Sequence, residues 1–93
     1  MKEYFVYIMT NDTKSVLYVG VTNNLERRIQ EHKSKLGARF TRRYHVHKLL
    51  YYEVYGSIDD AIHREKQIKA GSRRKKILLI EKQNPDWKDL CDS

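Results

Sequence analysis

The chain has 93 residues, with 19 Lys and Arg against 12 Asp and Glu, a net charge of +7 and a pI near 9.6. That length holds one core with little room for accessory modules, so residues 1–93 are read as a single domain. One cysteine, Cys91, excludes a disulfide framework or cysteine metal site, and the longest aliphatic run, "ILLI" at 77–80, excludes a bilayer span. No secretory signal opens the chain, so the expectation is a cytoplasmic protein without membrane contact. Its cations cluster at 27–28, 38–48 and 73–76, which points to a polyanionic partner, nucleic acid first.

In chain order, "YFVYIM" (Tyr4–Met9) is aromatic and β-branched and ends in the turn formers of "TNDTKS", so a strand and a turn are predicted. "VLYVGV" (Val16–Val21) has the same character and makes an antiparallel hairpin with it. Gly20 inside that strand signals a bulge or the close approach of another backbone or a ligand. "TNNLERRIQEHKSKLG" predicts a helix with Asn23 as N-cap, Glu26 in the capping-box position, Leu25, Ile29 and Leu36 on one stripe, and Gly37 as its stop. "KLLYYEVYG" (Lys48–Gly56) returns to strand composition and can rejoin the sheet. Ser57, with Asp60 three residues on, caps a second helix whose stripe runs through Ile58, Ala61, Ile62, Glu65 and Ile68. Gly71 and Ser72 break the chain, and "RRKKILLIEKQ" forms a last helix ending before Pro85. The order is β-β-α-β-α-α.

Six residues in this plan can carry chemistry. Tyr7 and Tyr18 lie on paired strands; each alone is an ordinary strand residue, but together their hydroxyls can converge, and a cation nearby would be needed to make a phenol a base. Arg28 and His32 share one face of the first helix, either as a solvated basic surface or as a phosphate clamp with a group that orients a tyrosine or relays its proton. Glu65 is aimed inward, where it either pairs with Lys69 or an arginine of another helix, or ligates one Mg2+ or Mn2+. Asn84 either ends a helix before Pro85 or holds a water or a phosphate.

Together these residues resemble the GIY-YIG nuclease superfamily. The first motif stands as Phe5, Val6 and Tyr7 and the second as Tyr18, Val19 and Gly20; "NNLERRIQEH" is similar to the family's arginine helix and "AIHREKQIK" to the context of its metal-binding glutamate. "LYVGVTNNLERRIQEHK", "FTRRY", "REKQIK" and "NPDWKDL" resemble the small stand-alone bacterial UPF0213 branch, also described as excision-repair-endonuclease-like. The resemblance implies an α/β (α+β) domain with a central three-stranded antiparallel sheet flanked by helices. It also implies an endonuclease that hydrolyses DNA phosphodiester bonds with one divalent ion, in DNA repair or recombination. In that scheme Glu65 is the metal ligand, Arg28 stabilises the phosphate, Tyr7 or Tyr18 activates or positions water, and His32 and Asn84 support them. Some relatives, the incision subunit of bacterial nucleotide excision repair among them, have a lysine directly after the second motif, where this chain has Val21.

Arg27, Arg39, Arg42, Arg43, Lys48, Arg73 and Arg74 are the expected phosphate contacts, with Phe40 and Tyr44 as stacking groups for an exposed base. A protein partner that supplies targeting is a further expectation. The alternative is a non-catalytic nucleic-acid-binding module that keeps the nuclease fold.

Overall fold

The structure is a computed structural model and describes residues 2–34 and 43–91. Its elements are β1 (Tyr4–Thr10), β2 (Leu17–Thr22), α1 (Leu25–Lys33), β3 (Lys48–Tyr55), α2 (Ile58–Ala70) and α3 (Arg73–Gln83). The three strands form one antiparallel sheet in the order β2-β1-β3, as the sequence predicts. β1 is central, so its backbone is committed to a neighbour on each side, and its side chains alternate between two buried faces. Val6 and Ile8 enter a cluster with Val19, Leu50, Tyr51, Ala61, Ile68 and Ile80, which joins the sheet to α2 and α3. Tyr7 and Met9 enter the opposite cluster with Ile29, Val46 and Leu49, which joins the sheet to α1.

Local rules place most boundaries, and the exceptions have causes. The N-cap of α1 is Asn24 rather than Asn23: its side chain accepts from Arg27 N at 3.0 Å, and its own N–H donates to Thr22 Oγ1 at 3.1 Å. Thr22 ends β2, so the strand itself sets where the helix starts, and Arg27 rather than Glu26 takes the third position. The helix closes at Ser34, ahead of the predicted Gly37; Leu36 and Gly37 lie outside the described residues. Ser57 and Ser72 cap α2 and α3 as serines do, accepting from Asp60 N and Lys75 N. Ile58, expected on the buried stripe of α2, is 41% exposed, because it occupies the helix's first position, ahead of the turn in which Ala61 packs.

The register between β1 and β3 shifts between Ile8 and Met9, where Tyr51 and Leu49 are the partners and Leu50 is the extra residue. A bulge leaves backbone groups without a ladder partner. Here the segment after α3 supplies them: Asn84 Nδ2 donates to Leu50 O at 3.0 Å, Leu90 N donates to Leu49 O at 2.8 Å, and Asp89 Oδ1 accepts from Leu49 N at 3.1 Å. Asn84 also donates to Lys88 O and accepts from Lys88 N, which makes the "NPDWKDL" segment a cover over the outer edge of β3. Asn84→Ala removes the hydrogen bonds to Leu50 and Lys88 and leaves Leu50 O buried without its donor, so it is expected to lower stability by about 2–4 kcal/mol in urea unfolding. A drop under about 0.5 kcal/mol would show that the strut carries no weight.

Candidate active site

The hairpin register puts Tyr7 directly across from Gly20. A Cβ on Gly20 would lie 2.5 Å from Tyr7 Cζ, so the phenol ring occupies the space that any side chain there would need. Gly20 is therefore a close-approach glycine, and no bulge occurs at it. Crossing β2 in this way, Tyr7 meets Tyr18 and His32. The ring centroids are 6.3 Å apart for Tyr7 and Tyr18, 6.1 Å for Tyr7 and His32, and 5.6 Å for Tyr18 and His32. Tyr7 Oη lies 3.5 Å from His32 Nε2, while His32 Nδ1 is buried with no hydrogen-bond partner among the described residues.

α1 delivers His32 and Arg28 to the same place because they lie one turn apart beside the buried Ile29. Arg28 Nε is likewise buried without a hydrogen-bond partner among the described residues, and Nη1 reaches Glu31 Oε1 at 3.4 Å with the side chain 37% exposed. The guanidinium thus has one end buried and the other near the surface. Burial, and then the charge of Arg28, hold the His32 imidazole below its ordinary pKa, against an opposing pull from Glu31, so it is neutral near pH 7. Burial pushes the Tyr7 phenol well above its usual range; Tyr18, Glu31 and Glu65 add to that, and Arg28 opposes them.

Glu65 is inward-facing as predicted, its side chain 14% exposed, and it pairs with Lys69 Nζ at 3.0 Å. Among the described residues no three His, Cys, Asp or Glu gather as a metal cage. A single carboxylate does not suit zinc, which takes three or four protein ligands, but it suits Mg2+ or Mn2+, whose remaining positions are filled by water and phosphate oxygens. Asn84 is not brought to the tyrosines by any of its contacts; its side chain is engaged by Leu50 and Lys88.

The chain matches the family model for the GIY-YIG catalytic domain over residues 3–77. It belongs to the GIY-YIG nuclease family. It is 44% identical to a UPF0213 protein of Syntrophus aciditrophicus, over 92% of this chain and 98% of the relative, and 38% identical to one of Staphylococcus haemolyticus, over 87% and 98%. The solution NMR structure of a UPF0213 protein from Bacillus halodurans superposes with a TM-score of 0.60 at 31% identity, covering 94% of this chain and 92% of that one. Nucleases of the GIY-YIG family typically use divalent metal ions. The match ends at residue 77, so Asn84 lies beyond it.

The expected nucleic-acid contacts divide into three sets. Arg39, Phe40 and Arg42 lie outside the described residues. Arg73 donates to Lys14 O at 2.6 Å and Ser15 O at 3.3 Å, which makes it a clamp between α3 and the β1–β2 loop, and Lys48 pairs with Asp12 of the same loop at 3.2 Å. Arg27 and Arg74 are exposed, and Arg43 stacks on Tyr44 with 5.6 Å between guanidinium carbon and ring centroid. The helical pattern missed one acidic centre: Glu53 accepts from Tyr51 Oη, from Tyr55 Oη at 2.6 Å and from Arg64 at 2.9 and 3.0 Å. Alternation of Tyr51, Glu53 and Tyr55 along β3 was the available signal. Burial pushes this carboxyl up, but the hydrogen bonds from Arg64, Tyr51 and Tyr55 more than reverse that and hold it below its ordinary value.

Two outcomes follow from this packing. Gly20→Ala should cost about 1–3 kcal/mol in urea unfolding, and the same substitution should be nearly neutral in a Tyr7→Ala background; equal costs in both backgrounds would refute the close approach. His32 binds its proton less readily folded than unfolded, so its contribution is full above about pH 6.5 and is lost as pH falls from there through the lowered folded value. Unfolding free energies measured between about pH 5 and about pH 7.5 should therefore fall less steeply towards acid in His32→Gln than in the parent. Parallel curves would show that His32 is not held neutral by the fold.

Proposed function

We propose that the chain is a DNA endonuclease that hydrolyses phosphodiester bonds with one divalent cation, Mg2+ or Mn2+, held by Glu65. The observation that carries this reading is the convergence of Tyr7, Tyr18 and His32 across Gly20, with Arg28 one turn from His32 on α1. When bound, the ion supplies charge that stabilises the phosphate and the leaving oxygen. Arg28 provides the matching contact from the protein, exchanging Glu31 for a phosphate oxygen. The raised pKa of Tyr7 argues against a standing phenolate, and the neutral imidazole beside it supports a relay. As the attacking water gives a proton to Tyr7 Oη, the phenol passes its own to His32 Nε2. Tyr18 walls the cluster on the β2 side and limits where the water can stand.

Arg27, Arg43, Lys48 and Arg74 supply phosphate contacts that carry no base sequence, and Tyr44, 38% exposed, is the described candidate for stacking. The Arg28–Glu31 and Glu65–Lys69 pairs, with a protonated Tyr7, favour a second reading, in which the fold binds nucleic acid without cutting it. Cleavage of end-labelled single-stranded, duplex, flap and branched DNA with Mg2+ or Mn2+ separates the two. The endonuclease reading expects the parent to cut, Arg28→Ala and Glu65→Gln to lose at least about 100-fold in rate, and Glu65→Gln to keep its affinity for DNA. Salt-sensitive binding by the parent without cleavage of any substrate would install the binding module instead.

A further inference from the structure

Resting on the reading of Glu65 as the cation ligand, we infer that Lys69 is the residue that sets the affinity of this site for its metal. Glu65 and Lys69 are one helical turn apart on α2, and Lys69 Nζ sits 3.0 Å from Glu65 Oε2. The two partners differ in setting: the Glu65 side chain is 14% exposed, while that of Lys69 is 53% exposed. The carboxylate is thus mostly enclosed by the protein, and the ammonium, on its flexible stem, is the partner that can swing away. The turn beneath them is pinned, because Lys76 Nζ reaches back to Lys69 O at 3.4 Å and Gly71 O at 2.6 Å. Lys69 therefore moves by its side chain, with the helix held.

Lys69 Nζ holds Glu65 Oε2, so an incoming cation meets the carboxylate with a positive charge already on it. An ion that takes Oε2 pushes Lys69 aside, and one that takes Oε1 keeps the ammonium beside it, so the lysine weakens binding by occupying a ligand oxygen or by repelling the ion. Removing that charge frees a carboxylate that is already in place. It also leaves Glu65, a mostly buried anion, without its pair, which favours any cation that can take the position. Lys69 acts through Glu65 and is a positioning residue.

The test is a titration of the full chain with MnCl2 and no nucleic acid, read from the free aquo-Mn2+ signal in electron paramagnetic resonance, with circular dichroism confirming that each variant is folded. Lys69→Gln is expected to bind Mn2+ about 3- to 10-fold tighter than the parent. Lys69→Arg keeps the charge and should stay near the parent, and Lys66→Gln, which removes an exposed lysine on the same helix, should not change the affinity. Glu65→Gln should lose binding in both the parent and the Lys69→Gln background. Affinity unchanged or weakened in Lys69→Gln, with binding still lost in Glu65→Gln, overturns the role of Lys69 and leaves the metal ligand standing. Equal tightening in Lys66→Gln reduces the effect to net charge and overturns it too. Mn2+ binding that survives Glu65→Gln overturns the assignment of Glu65 itself.

Discussion

The register of the β1–β2 hairpin is the constraint from which the candidate site follows. With Tyr7 opposite Gly20, the phenol has an open path across β2 to the helix beyond it. A slip of one residue would turn Tyr7 to the other face, among Val19, Leu50 and the residues of α2 and α3, and would place a side chain in its path. The central position of β1 prevents that slip, since both its edges are hydrogen-bonded and both its faces are buried. α1 is then tied to the same hairpin through Thr22 and Asn24, so the helix that carries Arg28 and His32 starts where the strand carrying Gly20 ends.

Two groups of polar residues illustrate how satisfaction separates structure from chemistry. Glu53 receives hydrogen bonds from two tyrosines and a bidentate arginine, so its charge is fully answered within the protein and it serves to join β3 to α2. Around Tyr7 two polar atoms are left open. Arg28 Nε and His32 Nδ1 are buried without hydrogen-bond partners among the described residues, and the charges of Arg28 and Glu65 are each met by a neighbour on their own helix. Such intrahelical pairs are weak and exchangeable, which suits the phosphate and cation roles proposed for Arg28 and Glu65.

The basic residues are similarly divided. Arg73 holds the β1–β2 loop by its carbonyls, Lys14 lies 5.5 Å over the Trp87 ring, and Lys76 closes the end of α2, so part of the positive charge works as mortar between elements. The segment after α3 has the same character. It covers the edge of β3, where an open edge would invite pairing with another chain, and it repairs the bulge at Leu50.

The sequence by itself determined the element order, the sheet class and the Ser57 cap, because these depend on period, turn formers and short-range hydrogen bonds that neighbouring residues decide. Ser57, the break at Gly71 and Ser72 and the composition of the three strands were enough for that. It also marked Tyr7, Tyr18, Arg28, His32 and Glu65 as candidates, helped by their resemblance to a nuclease family to which the chain does belong. Only the tertiary structure decided how they meet. That Gly20 makes room for a ring, that Asn84 serves the Leu50 bulge, that Glu53 gathers two tyrosines and an arginine and that Arg73 clamps a loop all depend on strand register and on contacts between residues far apart in the chain. Local patterns carry a residue's preference for an element, but not the identity of the atoms it will face, and it is those atoms that turn a tyrosine, an arginine or an asparagine into a catalytic group or a brace.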